Sequence, residues 1–517
     1  MRPHKAYHPL RQLAVGGNPN RRVIPGTWGK HPILDQYLEW RGVLPVVYEQ
    51  FVRSLNCKVV TPFSRGYQKG RAENDPAYNK FPLFIVYCQS VADVVKTVNF
   101  CRTQNLQVCM RAGGHSVAGY SVLDMHVLID VSQIKGVFVD PAGMTATAGA
   151  GVTWSEYNYV LDAYGLHNPG GSCSSVGITG YTLGGGYGYT SMQWGICCDN
   201  LLEITMVDYD GNIVTANQTT NQDLLWAHQG GTGGNFGVVV SLTYKLYPMR
   251  MVWPIQINWP IENAAQLMYT WQQEMTQTLA DTKLGLLGFL AMQQVPGQPV
   301  NGQSTLINQP YFAIRGVYTG PSWQDGAAAL SPLIAIGTPT YPAGPLWQQQ
   351  ISYEQVNEHL LDNVEGVIPD NCKETKRTAY VNTALTQAQY QQIVDYYCTS
   401  PSVYNITSLE PYGGAINTVP AAQTAFVHRN AYFNIFTDAF WLKEEDKAAA
   451  FQWVAGMYES AGLQSLWSGY YYQNYPNSAY TNWQNGYFGT NYAKLQQVKQ
   501  TWDPQNFFNF EQSIGLP

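Results

Sequence analysis

Two glycine-rich stretches dominate the interpretation of this sequence: Arg111-Ala-Gly-Gly-His115-Ser-Val-Ala-Gly-Tyr-Ser121 and Gly171-Ser-Cys173-Ser-Ser-Val-Gly-Ile-Thr-Gly-Tyr-Thr-Leu-Gly-Gly-Gly-Tyr-Gly188. A third glycine cluster runs from Gly230 to Gly237. Because glycine lets the backbone approach a ligand closely and adopt positive φ at little cost, such loops can present N–H groups to an anion. A dinucleotide pyrophosphate is a natural ligand for this arrangement, although ordinary turns and tight packing also use glycine.

Two enzyme classes with similar motifs fit these loops poorly. No loop gives a Gly-x-Gly-x-x-Gly that opens a strand–helix–strand unit, so a Rossmann site is not supported. The stretch from Gly114 to Ala118 nearly matches the Gly-x-Ser-x-Gly elbow of serine hydrolases. Ala118 breaks that motif and no helix pattern follows, so we do not expect a serine nucleophile here.

The overall composition excludes further classes. The chain has 517 residues, with 29 Lys and Arg against 35 Asp and Glu, and is 45% apolar and 13% aromatic. Charged residues make up 12%, roughly half the ~25% of typical soluble domains. The chain is too apolar for disorder, has no basic surplus for nucleic acid, and has no apolar run of the ~18 residues that a membrane span needs. We therefore expect a globular protein with no nucleic-acid or membrane partner.

Cysteine content and the N-terminal sequence bear on metal binding and location. Nine cysteines are too sparse for a disulfide scaffold, and no Cys-x-x-Cys pair indicates zinc, so no metal site is predicted. The N-terminal segment lacks an apolar signal-peptide core, and the chain as written is predicted to be cytoplasmic. The low charge and two Asn-x-Thr sequons, Asn217 and Asn405, leave secretion open. The sequence makes no prediction of oligomeric state.

The first ~250 residues alternate between strand and helix patterns. Pro82 to Cys88 and Leu106 to Met110 are predicted as strands, and Ser90 as the N-cap of a helix between them. Leu201 to Val214 is predicted as a hairpin that turns at Asp210-Gly211. From about Met251 the glycine clusters stop, and helical stretches such as Ala264 to Leu279 and Lys443 to Ser460 alternate with short apolar runs. This change in pattern indicates a second domain and an α/β or α+β architecture.

The glycine-rich loops together carry a resemblance to a known family. The first resembles the histidyl-FAD loop, and the second the cysteinyl-FAD loop, of the berberine-bridge-enzyme-like oxidases, which belong to the vanillyl-alcohol-oxidase or PCMH-type flavoproteins. Further stretches match as well: Trp194 to Asn200, Asp223 to Trp226, Gly230 to Gly237 and Asp503 to Ile514. The resemblance extends over roughly the whole chain beyond residue ~40.

The resemblance implies an α+β fold with a divided FAD domain. A PCMH-type FAD-binding domain of two α+β subdomains would take residues 1–250, and a substrate domain of antiparallel sheet plus helices would take residues 251–464. Residues 465–517 would return to the FAD domain.

The resemblance also implies FAD attached twice, by an 8α-histidyl bond through His115 and a 6-S-cysteinyl bond through Cys173. Imidazole nitrogen and thiolate sulfur are nucleophiles that can add to an electron-poor isoalloxazine ring. A double tether holds the ring without an enclosing pocket and leaves a cleft for large substrates. The other positions assigned to FAD are Arg111, Gly113, Gly114, Ser116, Val176, Gly177, Gly180, Gly185, Gly188, Asp199, Asn200, Gly237 and Asn474.

The sequence departs from the common family pattern at three places that concern the cofactor. Ser174-Ser175 replaces a more usual Pro-Thr after the cysteine, Tyr181 stands where histidine is frequent, and Gln229 stands where arginine is frequent. None of these changes removes a nucleophile, so the expected covalent bonds are retained while the detailed FAD contacts stay open.

A flavin oxidase also needs a base, and two residues are predicted to supply it. The segment Tyr472-Gln-Asn-Tyr475 resembles the family's Tyr-x-Asn-Tyr, whose second tyrosine is the base in several members. Because a free tyrosine has a pKa near 10, Tyr475 needs help at neutral pH. In glucooligosaccharide-oxidase-like members an acidic residue pairs with this tyrosine, and the segment Leu409-Glu410-Pro-Tyr-Gly-Gly414 aligns that acid with Glu410.

The predicted reaction is oxidation of a C–OH group by an FAD-dependent oxidase. In plant members a valine at the position of Val176 resembles oxidases, which favours molecular oxygen as acceptor and H2O2 as product. The substrate is expected to be a small molecule or oligosaccharide, that is, a carbohydrate or a secondary metabolite. Two alternatives stay open: a natural-product oxidative cyclase of the same family, and a non-catalytic flavin-binding protein.

Overall fold

The computed structural model describes residues 32–276, 282–297, 305–340, 348–361, 368–369 and 371–517. The chain divides into two compact units, one ending at Asn56 and the other spanning Cys57–Pro517. In the described part of the first unit, two helices cover Pro32–Trp40 and Pro45–Ser54, the second with a proline in its first turn. The predicted boundaries at residues 250 and 464 stay predictions.

A four-stranded sheet opens the larger unit. In spatial order its strands are Lys58–Val60, Phe84–Tyr87, Val127–Asp130 and Val108–Arg111. The outer pair formed by Lys58–Val60 and Phe84–Tyr87 is antiparallel, and the other pairs are parallel. The helix Val91–Thr103 provides the parallel crossover, and the Ser90 side chain accepts a hydrogen bond from the Asp93 N–H as its N-cap. The two predicted strands and the predicted cap are therefore confirmed, with strand ends shifted by one or two residues.

A five-stranded antiparallel sheet follows along the chain. In spatial order its strands are Val137–Asp140, Thr145–Gly149, Val238–Lys245, Leu201–Val207 and Ile213–Asn217. The last two form the predicted hairpin. A two-stranded ribbon pairs Leu166–His167 with Tyr247–Pro248. Helices in this part of the chain are Tyr67–Gly70, Trp154–Tyr164, Ile178–Leu183, Ser191–Trp194 and Gln222–His228.

A six-stranded antiparallel sheet forms the middle of the chain. In spatial order its strands are Trp253–Pro260, Leu306–Tyr318, Leu284–Pro296, Ile406–Pro411, Phe433–Trp441 and Lys373–Val381. The main helices here are Ala264–Met275, Trp323–Ile334, Gln387–Tyr397 and Lys447–Glu459, with shorter ones at Tyr353–Val356 and Gly414–Thr418. The predicted helix from Ala264 is confirmed as far as Met275, and residues 277–279 lie outside the described residues. The predicted helix at Lys443 begins at Lys447, after a 3-10 turn over Glu444–Asp446.

The period of two in these strands separates the six-stranded sheet into two chemically different faces. One face carries apolar residues such as Leu409, Ile435 and Ala379, which belong to the core that also contains Trp271 and Trp453 from the helices. Their neighbours in the chain point to the opposite face, and these include polar residues such as Glu410 and Asn434. The alternation therefore directs a set of buried polar groups away from the helices.

The last part of the chain completes the larger unit with helices Trp483–Phe488 and Tyr492–Trp502. Lys499 and Asp503 form an ion pair with a 2.7 Å separation, and both side chains are 0% exposed. Lys499 also donates to the carbonyl oxygens of Asn235 and Phe508. The mixture of helices with parallel and antiparallel strands confirms the predicted α+β class. None of the described helices is long and apolar enough to cross a membrane.

Candidate active site

One large cavity of about 840 Å³ collects most of the residues that the sequence singles out. The volume falls in the upper part of the ~300–1,000 Å³ range of cofactor and ligand sites. Fourteen predicted site residues line it: Arg111, Gly113, Gly114, His115, Ser116, Cys173, Val176, Gly177, Gly180, Gly188, Gly237, Glu410, Asn474 and Tyr475. The cavity therefore brings the two glycine-rich loops together with the predicted base and its acidic partner.

The two predicted nucleophiles lie close to one another across the two loops. The Ser175 hydroxyl lies 3.1 Å from His115 Nε2 and 3.6 Å from Cys173 Sγ. Both His115 and Cys173 are partly exposed and line the cavity. A single hydroxyl therefore lies within contact distance of both the imidazole and the thiol.

The loops approach closely because glycine faces glycine between them. A Cβ on Gly177 would lie 2.7 Å from the Gly113 nitrogen, and a Cβ on Gly113 would collide with the backbone of Gly177. Gly188 likewise contacts the carbonyl of Gly170, and Gly114 has φ +75°. These contacts form a cradle of backbone that side chains would fill, which fits the predicted anionic dinucleotide.

The histidine loop is anchored at its start by a buried ion pair. Arg111 ends the strand Val108–Arg111, and its Nε donates to Asp130 at 2.7 Å on the neighbouring strand. The same guanidinium also donates to the carbonyl of Ala72. Ser116, within the loop, accepts a hydrogen bond from the Tyr120 N–H through its hydroxyl. Arg111 and Ser116 thus hold the loop backbone on either side of His115.

The cysteine loop is held by a residue that the sequence did not single out. The Asn357 amide donates to the carbonyl of Ser172 at 2.6 Å and to that of Gly171 at 3.2 Å. Asn357 is fully buried, begins the π-helix Asn357–Leu361 and accepts a hydrogen bond from Asn158. A π-helical turn is uncommon and often marks a functional position. Asn357 therefore fixes the two residues that precede Cys173.

Tyr475 and Glu410 form a direct hydrogen bond inside the cavity. The Tyr475 hydroxyl donates to Glu410 Oε1 at 2.8 Å, and Asn434 donates to Glu410 Oε2 at 2.7 Å. Glu410 is only 3% exposed, and burial raises the pKa of its carboxyl from 4.5 to about 7. Burial, together with the nearby Glu410 charge, raises the pKa of Tyr475 well above its usual value. Tyr475 therefore keeps its proton in the resting site and shares it in a hydrogen bond with the buried carboxyl of Glu410.

The segment around Tyr475 is fixed by its neighbours. The Tyr472 hydroxyl accepts hydrogen bonds from the N–H groups of Gly186 and Tyr187, in the glycine-rich second loop. Asn474 donates to the carbonyl of Tyr181 at 2.8 Å and to the Tyr472 hydroxyl at 3.0 Å. The Tyr-x-Asn-Tyr segment therefore binds the cysteine loop directly.

One cation stands beside this pair. The Lys376 ammonium lies 4.5 Å from the centre of the Tyr475 ring and 3.2 Å from Asp438. Its positive charge also lowers the pKa of Glu410, although burial raises that pKa by more. A positive charge over a phenol ring favours the phenolate. Sequence reasoning missed Lys376 and Asn434, because neither lies in a local motif and both meet the pair only through the pairing of strands.

Three predicted cofactor residues do not line the cavity. Asp199 forms a buried ion pair with Arg429, with a shortest distance of 2.6 Å. Asn200 donates to the carbonyls of Trp194 and Ile196. Gly185 has φ +121° and packs against Phe426 and Tyr472. These residues shape the backbone next to the second loop, and a direct contact between them and FAD stays a prediction.

Two residues that depart from the common family pattern, Tyr181 and Gln229, contact other parts of the chain. Tyr181 lines the cavity, stacks edge-on against Trp154 at 5.0 Å and donates to the carbonyl of Tyr187. Gln229 donates to the carbonyl of Leu201 at 3.0 Å. The aromatic residues that line the cavity are tyrosines and phenylalanines; among the described residues no tryptophan lines it. The described part of the chain contains no cluster of three or more His, Cys, Asp or Glu side chains that could hold a metal ion.

Comparison with known families gives two matches. Residues 82–217 match the family described as FAD binding domain, and residues 471–515 match the family described as Berberine and berberine like. The first match contains both loops, and the second contains the Tyr472–Tyr475 segment and the end of the chain.

Relatives and solved structures cover nearly the whole chain. The uncharacterized FAD-linked oxidoreductase YgaK of Bacillus subtilis is 28% identical over 464 residues, 89% of this chain and 97% of the relative. The aclacinomycin-N/aclacinomycin-A oxidase of Streptomyces galilaeus is 27% identical over 84% of this chain and 85% of its own length.

Two solved structures share the fold at lower sequence identity. Physcomitrella patens BBE-like 1 superposes with a TM-score of 0.77 at 23% identity, over 91% of this chain and 99% of that one. An isoleucine-to-valine variant of Phl p 4, described as a glucose oxidase, gives a TM-score of 0.76 at 22% identity with the same coverage. The fold is therefore that of the PCMH-type flavoproteins. Two family models match parts of the chain and relatives match most of its length, so the chain is an oxidoreductase similar to the berberine-bridge-enzyme-like FAD-linked oxidoreductases.

Proposed function

We propose that this oxidoreductase holds FAD through covalent bonds to His115 and Cys173 and oxidises a C–OH group of its substrate. The observation that carries the proposal is the hydrogen bond of 2.8 Å between Tyr475 and Glu410, in the same cavity as the two nucleophiles. A proton acceptor beside a flavin site is needed for alcohol oxidation and has no use in a protein that only binds the cofactor.

In this proposal, some residues of the chain hold the cofactor and others act on the substrate proton. His115 and Cys173 would hold the ring, and the glycine contacts between their loops would let the dinucleotide lie against the backbone. When bound, FAD would supply the hydride acceptor, with molecular oxygen as the final electron acceptor and H2O2 as the product. Tyr475, Glu410 and Lys376 would act on the proton of the substrate hydroxyl.

The pKa shifts of Tyr475 and Glu410 support a proton relay between them and argue against a Tyr475 that is ionised before the reaction. Because the pKa of Tyr475 is raised by burial and by Glu410, Tyr475 is protonated at neutral pH. In the proposed step it takes the substrate proton at Oη while its own proton passes to Glu410 Oε1. This step requires ionised Glu410, so we expect flavin reduction to accelerate as pH rises through about 7, the pKa of Glu410.

The proposed double attachment is tested by denaturation. Acid-precipitated wild-type protein should stay yellow, each single variant, His115→Ala or Cys173→Ala, should retain flavin through the other bond, and the double variant should release it. A colourless pellet from yellow wild-type protein would contradict covalent attachment without bearing on catalysis.

The proposed base is tested by rapid mixing. Tyr475→Phe should bind FAD normally and slow anaerobic flavin reduction by about 10²–10⁴-fold, the usual contribution of a positioned base. Phe436→Leu, which changes an aromatic ring that packs against Tyr475 at 4.9 Å, is the matched control and should have a much smaller effect. Reduction of Tyr475→Phe at the wild-type rate would remove this residue from the base role.

We also propose molecular oxygen as electron acceptor, because Val176 rather than a bulkier residue lines the cavity. The Phl p 4 variant described as a glucose oxidase carries valine for isoleucine, whereas wild-type Phl p 4 is described as a glucose dehydrogenase. Val176→Leu should slow reoxidation of the reduced flavin by air and leave its reduction by substrate intact. Unchanged reoxidation would contradict the role of Val176.

The substrate class is proposed from the same site and its relatives. Sugars fit a cavity with several tyrosine hydroxyls and a carboxylate, and the similarity to an aclacinomycin oxidase favours secondary metabolites as the second candidate. The two substrate classes are separated by a screen for peroxide formation in air, with oligosaccharides, phenolic alcohols and glycosylated polyketides as substrates. A protein that oxidises no member of the screen and shows no flavin turnover would support the non-catalytic alternative.

A further inference from the structure

The Ser175 hydroxyl bridges the two residues that are proposed to attach the flavin. It lies 3.1 Å from His115 Nε2, within hydrogen-bond distance, and 3.6 Å from Cys173 Sγ, within the longer range of sulfur. The two residues come from different loops, 58 positions apart in the chain, so a single hydroxyl between them couples the loops chemically. Ser175 also stands where the family usually has threonine, which carries the same hydroxyl.

We propose that Ser175 is a positioning residue for covalent flavin attachment, acting through His115 and Cys173. This inference rests on the double attachment proposed above. In the proposed arrangement Nε2–H of His115 donates to the Ser175 oxygen, and the Ser175 hydroxyl donates to the Cys173 sulfur.

Each hydrogen bond prepares one nucleophile. In neutral imidazole a proton on Nε2 leaves the lone pair on Nδ1, so the bond to Ser175 selects Nδ1 as the nucleophilic atom. A hydroxyl that donates to sulfur stabilises thiolate over thiol, and thiolate is the reactive form. One serine therefore sets the tautomer of His115 and increases the thiolate fraction of Cys173.

The bond-forming steps balance with molecular oxygen as oxidant. At His115 an N–C bond to the 8α carbon forms, while one methyl hydrogen and the Nε2 proton leave as protons and two electrons pass to the ring. At Cys173 an S–C6 bond forms, while the thiol proton and the C6 hydrogen leave as protons and two electrons again pass to the ring. In each step O2 takes up the two electrons and two protons and forms H2O2. Ser175 contacts the Nε2 proton that His115 must lose.

The test uses an isosteric pair at this position. Threonine and valine are both β-branched and differ in the hydroxyl, so Ser175→Thr keeps the bridge and Ser175→Val removes it. Both are placed in the Cys173→Ala and His115→Ala backgrounds, where one covalent bond is possible at a time. Ser174→Ala is the matched control, because it removes the neighbouring hydroxyl of the same loop.

The measurement follows bond formation and does not depend on turnover. Full-length protein made without flavin is mixed with FAD in air, and acid-stable flavin is quantified over time, with the modified peptide identified by mass. We expect Ser175→Val to form either bond about tenfold more slowly than Ser175→Thr, the scale of one hydrogen bond. Ser174→Ala should match its parent in both backgrounds.

The outcomes separate this inference from the proposed attachment. Equal rates for Ser175→Thr and Ser175→Val, with covalent flavin forming in both, overturn the role of Ser175 and leave the attachment intact. A wild-type chain that binds FAD and releases all of it in acid overturns both. If both substitutions at position 175 slow the reaction equally while Ser174→Ala does not, the effect belongs to side-chain bulk, and the hydroxyl role is overturned.

Discussion

The buried carboxyl of Glu410 should make the protein less stable at the pH where the site works. Its pKa is raised from 4.5 to about 7 because the side chain is buried, so the folded protein binds this proton more tightly than the unfolded chain does. Stability therefore falls as pH rises from the unfolded value to the folded one. A tenfold difference in proton affinity is worth about 1.4 kcal/mol, so wild-type protein should lose about 3 kcal/mol across this window from Glu410 alone.

Glu410→Gln removes the titration while keeping the shape and the hydrogen-bond partners. The amide oxygen can accept from Asn434, and the amide N–H can donate to the Tyr475 hydroxyl, which is able to accept. The free energy of unfolding in urea, measured for both proteins between about pH 4 and pH 8, should therefore diverge with rising pH. The variant gains up to about 3 kcal/mol relative to wild type above pH ~7.

The test depends on the difference between the unfolding free energies of wild type and Glu410→Gln, because other buried acids affect both proteins equally. Burial also raises the pKa of Glu73 to about 8 and that of Asp75 to about 6, so stability of both proteins should fall with pH. Glu262→Gln, which changes an exposed carboxyl, should follow the wild-type curve. Parallel curves for wild type and Glu410→Gln would refute the claim that Glu410 titrates in a buried site.

Three further perturbations test other parts of the structure. Lys376→Met removes the charge over the Tyr475 ring and should slow anaerobic flavin reduction about tenfold without loss of bound FAD; an unchanged rate would exclude an electrostatic role. Lys499→Met leaves Asp503 buried without its counter-ion and should lower the free energy of unfolding by about 3–5 kcal/mol. The control Lys447→Met breaks an exposed ion pair and should change the free energy of unfolding by less than ~1 kcal/mol. Similar losses in both variants would contradict this account. Gly177→Ala would press a methyl group against the backbone of the histidine loop and should reduce the acid-stable flavin per chain; full occupancy would show that the loops can separate.

Local sequence signals predicted individual elements well. The helix Val91–Thr103 follows from a serine N-cap and apolar residues at helical spacing, and the hairpin at Leu201–Val207 follows from two apolar runs around Asp210-Gly211. Both depend on residues close together in the chain. The helix at Lys447–Glu459 begins four residues later than expected because Glu444–Asp446 forms a 3-10 turn, a detail that composition does not encode.

The sequence predicted only part of the candidate site. Motifs identified the two loops and Tyr475, and the resemblance aligned Glu410, because each lies in a recognisable local segment. Lys376 and Asn357 escaped because their significance depends on long-range pairing. Lys376 reaches Tyr475 only because the strand Lys373–Val381 pairs with Phe433–Trp441, and Asn357 meets the cysteine loop across 185 positions or more of chain.

The contribution of Asn509, Phe510 and Gln512 to the cavity wall has a consequence for biosynthesis. The loops that carry His115 and Cys173 leave the ribosome several hundred residues before this wall is translated. Until then the cradle is open on one side, and the buried Lys499–Asp503 pair that anchors the wall cannot form. Stable loading of the cofactor is therefore a late event, and translation that stalls before residue ~500 would yield a nascent chain with both nucleophiles displayed but no completed chamber to retain the dinucleotide.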